Sequence, residues 1–123
     1  MKNFDSYTND MKFHKLSNYN QKAIVKLDKI LCEEGYIFNG NWRDDPSSDG
    51  FNSSFELINS STDRKNLITI RPMKNFLKIE VYWGYSKSLS INRKPKVYFK
   101  IMPNGDVPIS LLMEVRELHN LYF

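Results

Sequence analysis

The sequence contains a single cysteine, Cys32, so it cannot form an internal disulfide. It has only five glycines, and it lacks a glycine-rich phosphate loop, a nucleophile elbow and cysteine pairs at zinc-binding spacing. The sequence therefore predicts neither an enzyme nor a bound cofactor. No apolar run reaches the roughly 18 residues of a membrane span. The first residues also lack the apolar segment of a signal peptide, and we expect a cytoplasmic protein.

The composition is typical of one folded domain. Hydrophobic residues make up 41% of the chain, charged residues 26% and aromatic residues 14%, and disordered chains are poor in aromatic residues. We expect a single domain over residues 1–123, with residues 1–16 as an N-terminal arm that is either ordered or flexible.

Positive charge is concentrated in one part of the chain. The net charge is +4, yet residues 64–100 carry ten basic side chains and one acidic side chain, Glu80. The rest of the chain has more acidic than basic residues. A concentrated positive field attracts phosphate groups or acidic protein surfaces, although lysines also serve simply to solvate a surface.

Two segments show the spacing of amphipathic helices. Apolar residues recur every three or four positions from Asn18 to Glu34, and Gly35 offers a left-handed stop. A second apolar stripe begins after Pro108 and continues to Tyr122. The sequence thus predicts one helix before the basic segment and one at the C-terminus.

Short strands fill the space between the two helices. Four runs of strand type are separated by short polar turns, and such strands pair antiparallel because parallel crossovers need longer connections. We therefore predict an α+β fold, in which an antiparallel sheet of about four strands is packed on one face by the N-terminal and C-terminal helices. Residues 44–54 are predicted as an exposed loop, and a short strand within residues 36–42 remains open. The four runs are Phe55–Ile58, Leu67–Arg71, Phe76–Trp83 and Lys96–Met102.

Alternation within the last two strands predicts a basic, tyrosine-bearing outer face. If alternate apolar residues face the helices, the lysines and tyrosines between them face outward. Cations that bind phosphates, beside rings that stack on bases, are typical of single-stranded nucleic-acid binding. Tyrosine and arginine also anchor protein interfaces, and tyrosine–lysine pairs also stabilise open sheets. The candidate binding residues are Arg71, Lys74, Lys78, Tyr82, Lys96, Tyr98 and Lys100.

One segment resembles a calcium loop. Oxygen-bearing side chains stand at its positions 1, 3 and 5 (Asp45 to Asp49), glycine at 6 and Glu56 at 12. Position 8 is Asn52, where such loops carry an apolar residue, and a polar surface turn explains the same residues. A small metal-dependent enzyme or calcium-binding domain that uses Asp45, Asp49 and Glu56 is therefore one alternative. A structural oligomeric subunit is another.

The C-terminal half resembles a known type of domain. Its matching segments are NLITIRPMKNFLKIEV and KVYFKI, the latter leading through NGD into ISLLMEVRELHNLYF. This order of strand, Arg-Pro turn, strand, short strand and closing helix is similar to a small α+β domain of unknown function associated with restriction-type endonucleases and bacterial defence proteins. The resemblance implies an α+β fold and a nucleic-acid or defence setting, and it brings no catalytic residues.

These observations predict a non-enzymatic binding protein. It would engage nucleic acid or a nucleic-acid-handling enzyme through the basic sheet face. One form of this hypothesis is an anti-CRISPR-like protein, a phage or mobile-element inhibitor of a host defence nuclease. The expected partners are RNA or DNA, or a nucleoprotein or nuclease, and not a membrane.

Overall fold

The computed structural model describes residues 11–38, 42–48, 50–58, 64–86 and 97–122, and within them the protein is α+β. Its helices are α1 (Met11–His14), α2 (Asn18–Glu33) and α3 (Ile109–Tyr122). None of the helices in these ranges is both long enough and apolar enough to cross a membrane. The strands are β1 (Ile37–Phe38), β2 (Arg43–Asp45), β3 (Gly50–Ile58), β4 (Arg64–Pro72), β5 (Leu77–Ser86) and β6 (Val97–Ile101).

The strands form one antiparallel sheet. Its order is β1-β3-β4-β5-β6, and β2 pairs with β3 beside this path. From β3 onward, neighbours in the sequence are neighbours in the sheet, as the short turns predicted. The antiparallel α+β fold is therefore confirmed.

The predicted number of about four strands was wrong, because the described residues form six. β1 and β2 have two and three residues, which is too short for alternation to become visible in the sequence. β3 begins at Gly50, inside the segment predicted as a loop. Asp45 pairs with Gly50, so that segment is a β2–β3 hairpin. Its turn residues concealed the strands, since Asp, Pro, Ser and Gly usually indicate loops.

The helices and the sheet share one hydrophobic core on the inner face of the sheet. α2 extends from Asn18 to Glu33 with Gly35 at a φ of +89°, close to the predicted bounds. The buried apolar residues of both long helices pack with alternate residues of the sheet, so the helices cover a single face. The fully buried members include Ile24, Leu27, Leu31, Phe55, Ile68, Ile70, Leu77, Ile79, Val81, Leu111 and Val115.

Part of the predicted N-terminal arm is packed into this core. Phe13 and Leu16 are buried, and the Phe13 ring lies 6.2 Å from the Trp42 ring, between centroids. Residues 1–10, which belong to the same predicted arm, lie outside the described residues.

A buried amide fixes the turn between β4 and β5 against α2. Asn20 is fully buried, and its Nδ2 donates a hydrogen bond to the carbonyl oxygen of Met73 at 3.0 Å. The Met73 amide in turn donates to the Phe76 carbonyl at 2.8 Å. Because buried hydrogen bonds are expensive to break, this contact holds the turn that carries Lys74.

Candidate functional site

The outer face of the sheet, opposite the helices, carries the residues that alternation predicted. Ile70 and Ile79 are fully buried in the core, and adjacent residues of a strand point to opposite faces. The residues that alternate with these core residues along each strand therefore face outward. They stand in rows across β4, β5 and β6. These rows are Arg71–Lys78–Lys100, Thr69–Glu80–Tyr98 and Leu67–Tyr82.

Three lysines and one tyrosine form what we call the basic surface: Lys74, Lys78, Tyr98 and Lys100. Lys78 and Lys100 lie directly opposite each other on β5 and β6. Lys74 is exposed in the preceding turn. Within the described ranges, none of the three lysines forms an ion pair with a carboxylate. The positive charge of the basic surface is thus not neutralised by described carboxylates.

Aromatic rings support two of these lysines. The Lys78 Nζ lies 4.7 Å from the centroid of the Tyr98 ring, and the Lys100 Nζ lies 4.6 Å from that of Phe76. Such cation–π contacts contribute about 0.5–1 kcal/mol at exposed sites. They orient the ammonium groups without cancelling their charge. Tyr98 itself is 54% exposed, so part of its ring is open to a ligand.

Arg71 differs from the lysines in its row, because two carboxylates neutralise it. Its Nη1 lies 2.5 Å from Oδ2 of Asp45, and its Nε donates to Glu80. The Asp45 and Glu80 side chains are each only 7% exposed. Arg71, one of the predicted binding residues, is thus already engaged by two carboxylates. Its guanidinium joins the β2–β3 hairpin to β5.

Asp45 is held ionised by its neighbours. Its Oδ1 accepts hydrogen bonds from the Ser47 amide at 3.0 Å and the Ser47 hydroxyl at 2.6 Å, while Oδ2 accepts from Asn52 at 3.0 Å. Burial alone would raise the pKa of this carboxyl group. The hydrogen bonds from Ser47 and Asn52 and the charge of Arg71 outweigh burial and hold the pKa well below its usual range.

Tyr82 faces outward, as predicted, but it is not an open platform for stacking. It is only 7% exposed and packs with Leu67 in a small apolar cluster on the outer face. Burial, and secondarily the charge of Glu80, raises the pKa of its hydroxyl group. Tyr98 is therefore the predicted tyrosine whose ring remains accessible. Lys96, the remaining candidate, lies outside the described residues.

The described acidic residues of the calcium-like segment are bound to cations. Asp45 contacts Arg71, and Glu56 Oε1 lies 3.0 Å from the Lys65 Nζ in the neighbouring strand. Asp49 lies outside the described residues. The segment folds as a hairpin that continues into β3, instead of the wrapped loop that calcium requires. The metal-binding alternative stays a hypothesis, with Asp45 and Glu56 each paired with a cation in this structure.

Sequence reasoning missed the link between Asp45 and Arg71. These residues are 26 positions apart, and no local pattern relates them. The contact between Arg71 and Glu80 was easier to predict. Glu80 is the one acidic residue in the basic segment, residues 64–100, and it lies in the predicted strand next to that of Arg71. Cross-strand pairs of opposite charge stabilise sheets.

The structure thus defines an α+β protein whose sheet has one face covered by helices and one polar face. No protein-family model matches the chain, and neither a curated protein nor a solved structure matches it. The resemblance to an endonuclease-associated domain therefore stays a prediction. The functional argument rests on the residues of the polar face.

Proposed function

We propose that this protein is a non-catalytic binding protein that holds single-stranded nucleic acid on the basic surface. The observation that carries the proposal is the Lys78–Lys100 pair. Two lysines lie directly opposite each other on adjacent strands, beside a half-exposed tyrosine. Neither has a carboxylate partner among the described residues.

Such a pair favours an anionic ligand. Like charges directly opposite each other in a sheet destabilise it, and a bound anion reduces that repulsion. The Lys78 ammonium leans toward Tyr98 and the Lys100 ammonium toward Phe76, so the two lysines offer separate contacts to a phosphate backbone. Lys74 extends the same positive field toward the β4–β5 turn.

The exposed ring of Tyr98 favours a single strand over a duplex. Bases of single-stranded nucleic acid are free to stack on aromatic side chains, and each such contact contributes about 1–3 kcal/mol. In a duplex the bases already stack on each other. A surface with three lysines and one accessible ring therefore suits a short length of unpaired RNA or DNA.

An acidic groove on a protein would meet the same lysines. A nuclease or a nucleoprotein, as in the inhibitor hypothesis, could therefore also contact the basic surface. Stacking on Tyr98 and a strong salt dependence are expected for nucleic acid, so the test below separates the two partners.

The test is a fluorescence-anisotropy titration of labelled single-stranded RNA, single-stranded DNA and duplex DNA. With three lysine–phosphate contacts to a single strand, the logarithm of the binding constant should fall against the logarithm of the salt concentration with a slope of about −2. Affinity should then fall about 20-fold between about 50 and about 200 mM salt. Single strands should also bind more tightly than the duplex. Absence of binding to every probe at the lower salt concentration would refute the proposal and favour a protein partner.

A further inference from the structure

A polar cavity of about 280 Å³ opens on the outer face between β2, β3 and β4. The cavity and the basic surface are on the same face of the sheet. The cavity lies toward β3 from Arg71, and the basic surface lies toward β5 and β6. The volume of the cavity is just below the range of about 300–1,000 Å³ that small-molecule sites occupy. Its lining includes Arg43, Asn52, Thr69, Arg71 and Tyr82, together with the carboxylates of Asp44 and Glu56.

The cavity exists because small side chains are surrounded by large ones. Ser54 and Thr69 lie directly opposite each other on β3 and β4, and both are short. Arg71 and Tyr82 stand on two sides of them, and Arg43 of β2 stands on a third. A cavity lined by polar groups holds water that a polar ligand can replace, unlike an apolar packing void.

Its lining combines two kinds of group that recognise a nucleotide, a cation and neutral hydrogen-bonding groups. Arg43 is exposed and has no ion-pair partner within the described ranges, which leaves its guanidinium available to a phosphate. Thr69 supplies a hydroxyl group, and Asn52, whose Nδ2 already donates to Asp45, supplies an amide oxygen. These are types of group that bond to base edges or sugar hydroxyls. Tyr82, which is only 7% exposed, forms part of the wall.

We propose that this cavity binds one nucleoside monophosphate unit, with Arg43 at its phosphate. The unit is either a free nucleotide or one residue of a strand held on the basic surface. The second form rests on the proposed function. Lys100, Lys78 and Arg71 form one row across three strands, and this row leads from the basic surface to the cavity. A strand that follows the row reaches the cavity past Arg71.

The test titrates the four nucleoside monophosphates, and separately a short single-stranded oligonucleotide, into the ¹⁵N-labelled protein. Two variants report on the cavity. Thr69→Trp fills it, and Arg43→Ala removes an exposed cation with little effect on folding. We expect at least one nucleotide to shift the amides of Asn52 and Thr69. Arg43→Ala should weaken that binding about tenfold or more, since a charged hydrogen bond is worth that much. Thr69→Trp should weaken it at least as much, because the indole occupies the cavity.

Each result has a distinct meaning. In one outcome the protein binds the oligonucleotide but no free nucleotide, and Arg43→Ala binds the oligonucleotide with unchanged affinity. This outcome would overturn the cavity inference and leave the proposed function standing. Nucleotide binding without oligonucleotide binding would support a site for free nucleotides and contradict the proposed function. Binding of neither ligand would overturn both. If Thr69→Trp does not fold, the Arg43→Ala result decides.

Discussion

Replacing Arg71 with leucine should lower the free energy of unfolding by about 3 kcal/mol, because it leaves two nearly buried carboxylates without a cation. Asp45 and Glu80 are 7% exposed, and both contact the guanidinium. Without it they also repel each other across the β2–β3 hairpin and β5. Urea denaturation at neutral pH measures the loss.

The matched control is Arg116→Leu. Arg116 forms an ion pair with Glu34 at 2.8 Å, but its side chain is 65% exposed, so its loss should cost no more than about 1 kcal/mol. Equal losses for the two variants would contradict the structural role of Arg71.

The effect of Arg71→Leu should also depend on pH. The pKa of Asp45 is depressed in the folded protein, so its contribution to stability is present above the unfolded pKa of about 3.9 and is lost as the pH falls below it. In the variant, protonation relieves the repulsion between the carboxylates. The difference in stability between wild type and variant should therefore shrink as the pH falls below about 3.9. A difference that stays constant would indicate that Arg71 acts by packing alone.

Reversing two charges, in the variant Lys78→Glu/Lys100→Glu, should weaken binding to single-stranded RNA about 100-fold at low salt. Each charged contact contributes about 1.5 kcal/mol, and each 1.4 kcal/mol changes affinity tenfold. The salt slope should also become shallower, from about −2 to about −0.7, because only one lysine contact remains. Anisotropy titrations at several salt concentrations measure both values.

The control Lys22→Glu/Lys29→Glu changes the net charge by the same amount on exposed positions of α2. It should leave the affinity within a fewfold of the wild-type value. An equal loss in both double variants would mean that binding responds to net charge and not to the basic surface. Unchanged binding in Lys78→Glu/Lys100→Glu would refute the basic surface as the site.

Much of the fold could be predicted because its main elements have a clear period. The apolar spacing of α2 and the alternation of β5 and β6 are local properties, and they predicted both the elements and their buried faces. β2 was missed because three residues show no period, and because Asp45 forms hydrogen bonds within a turn-like sequence.

The candidate site was predicted in part for the same reason. Alternation alone places Lys78, Tyr98 and Lys100 on the outer face, whatever the strand order. The availability of a charge depends instead on contacts between distant segments. Arg71 is neutralised from β2, so its state could not be derived from its own strand. The cavity likewise depends on how β2 is placed beside β3.

The most direct test of the central claim is to map the bound strand on the protein. Adding a short single-stranded oligonucleotide to the ¹⁵N-labelled protein should shift the amides of Lys74, Lys78, Tyr98 and Lys100 most, because phosphates and a stacked base would lie against them. Amides of Lys22 and Lys29 on α2 should hardly move. Shifts concentrated on α2 or α3, or no shifts at low salt, would contradict nucleic-acid binding by the basic surface.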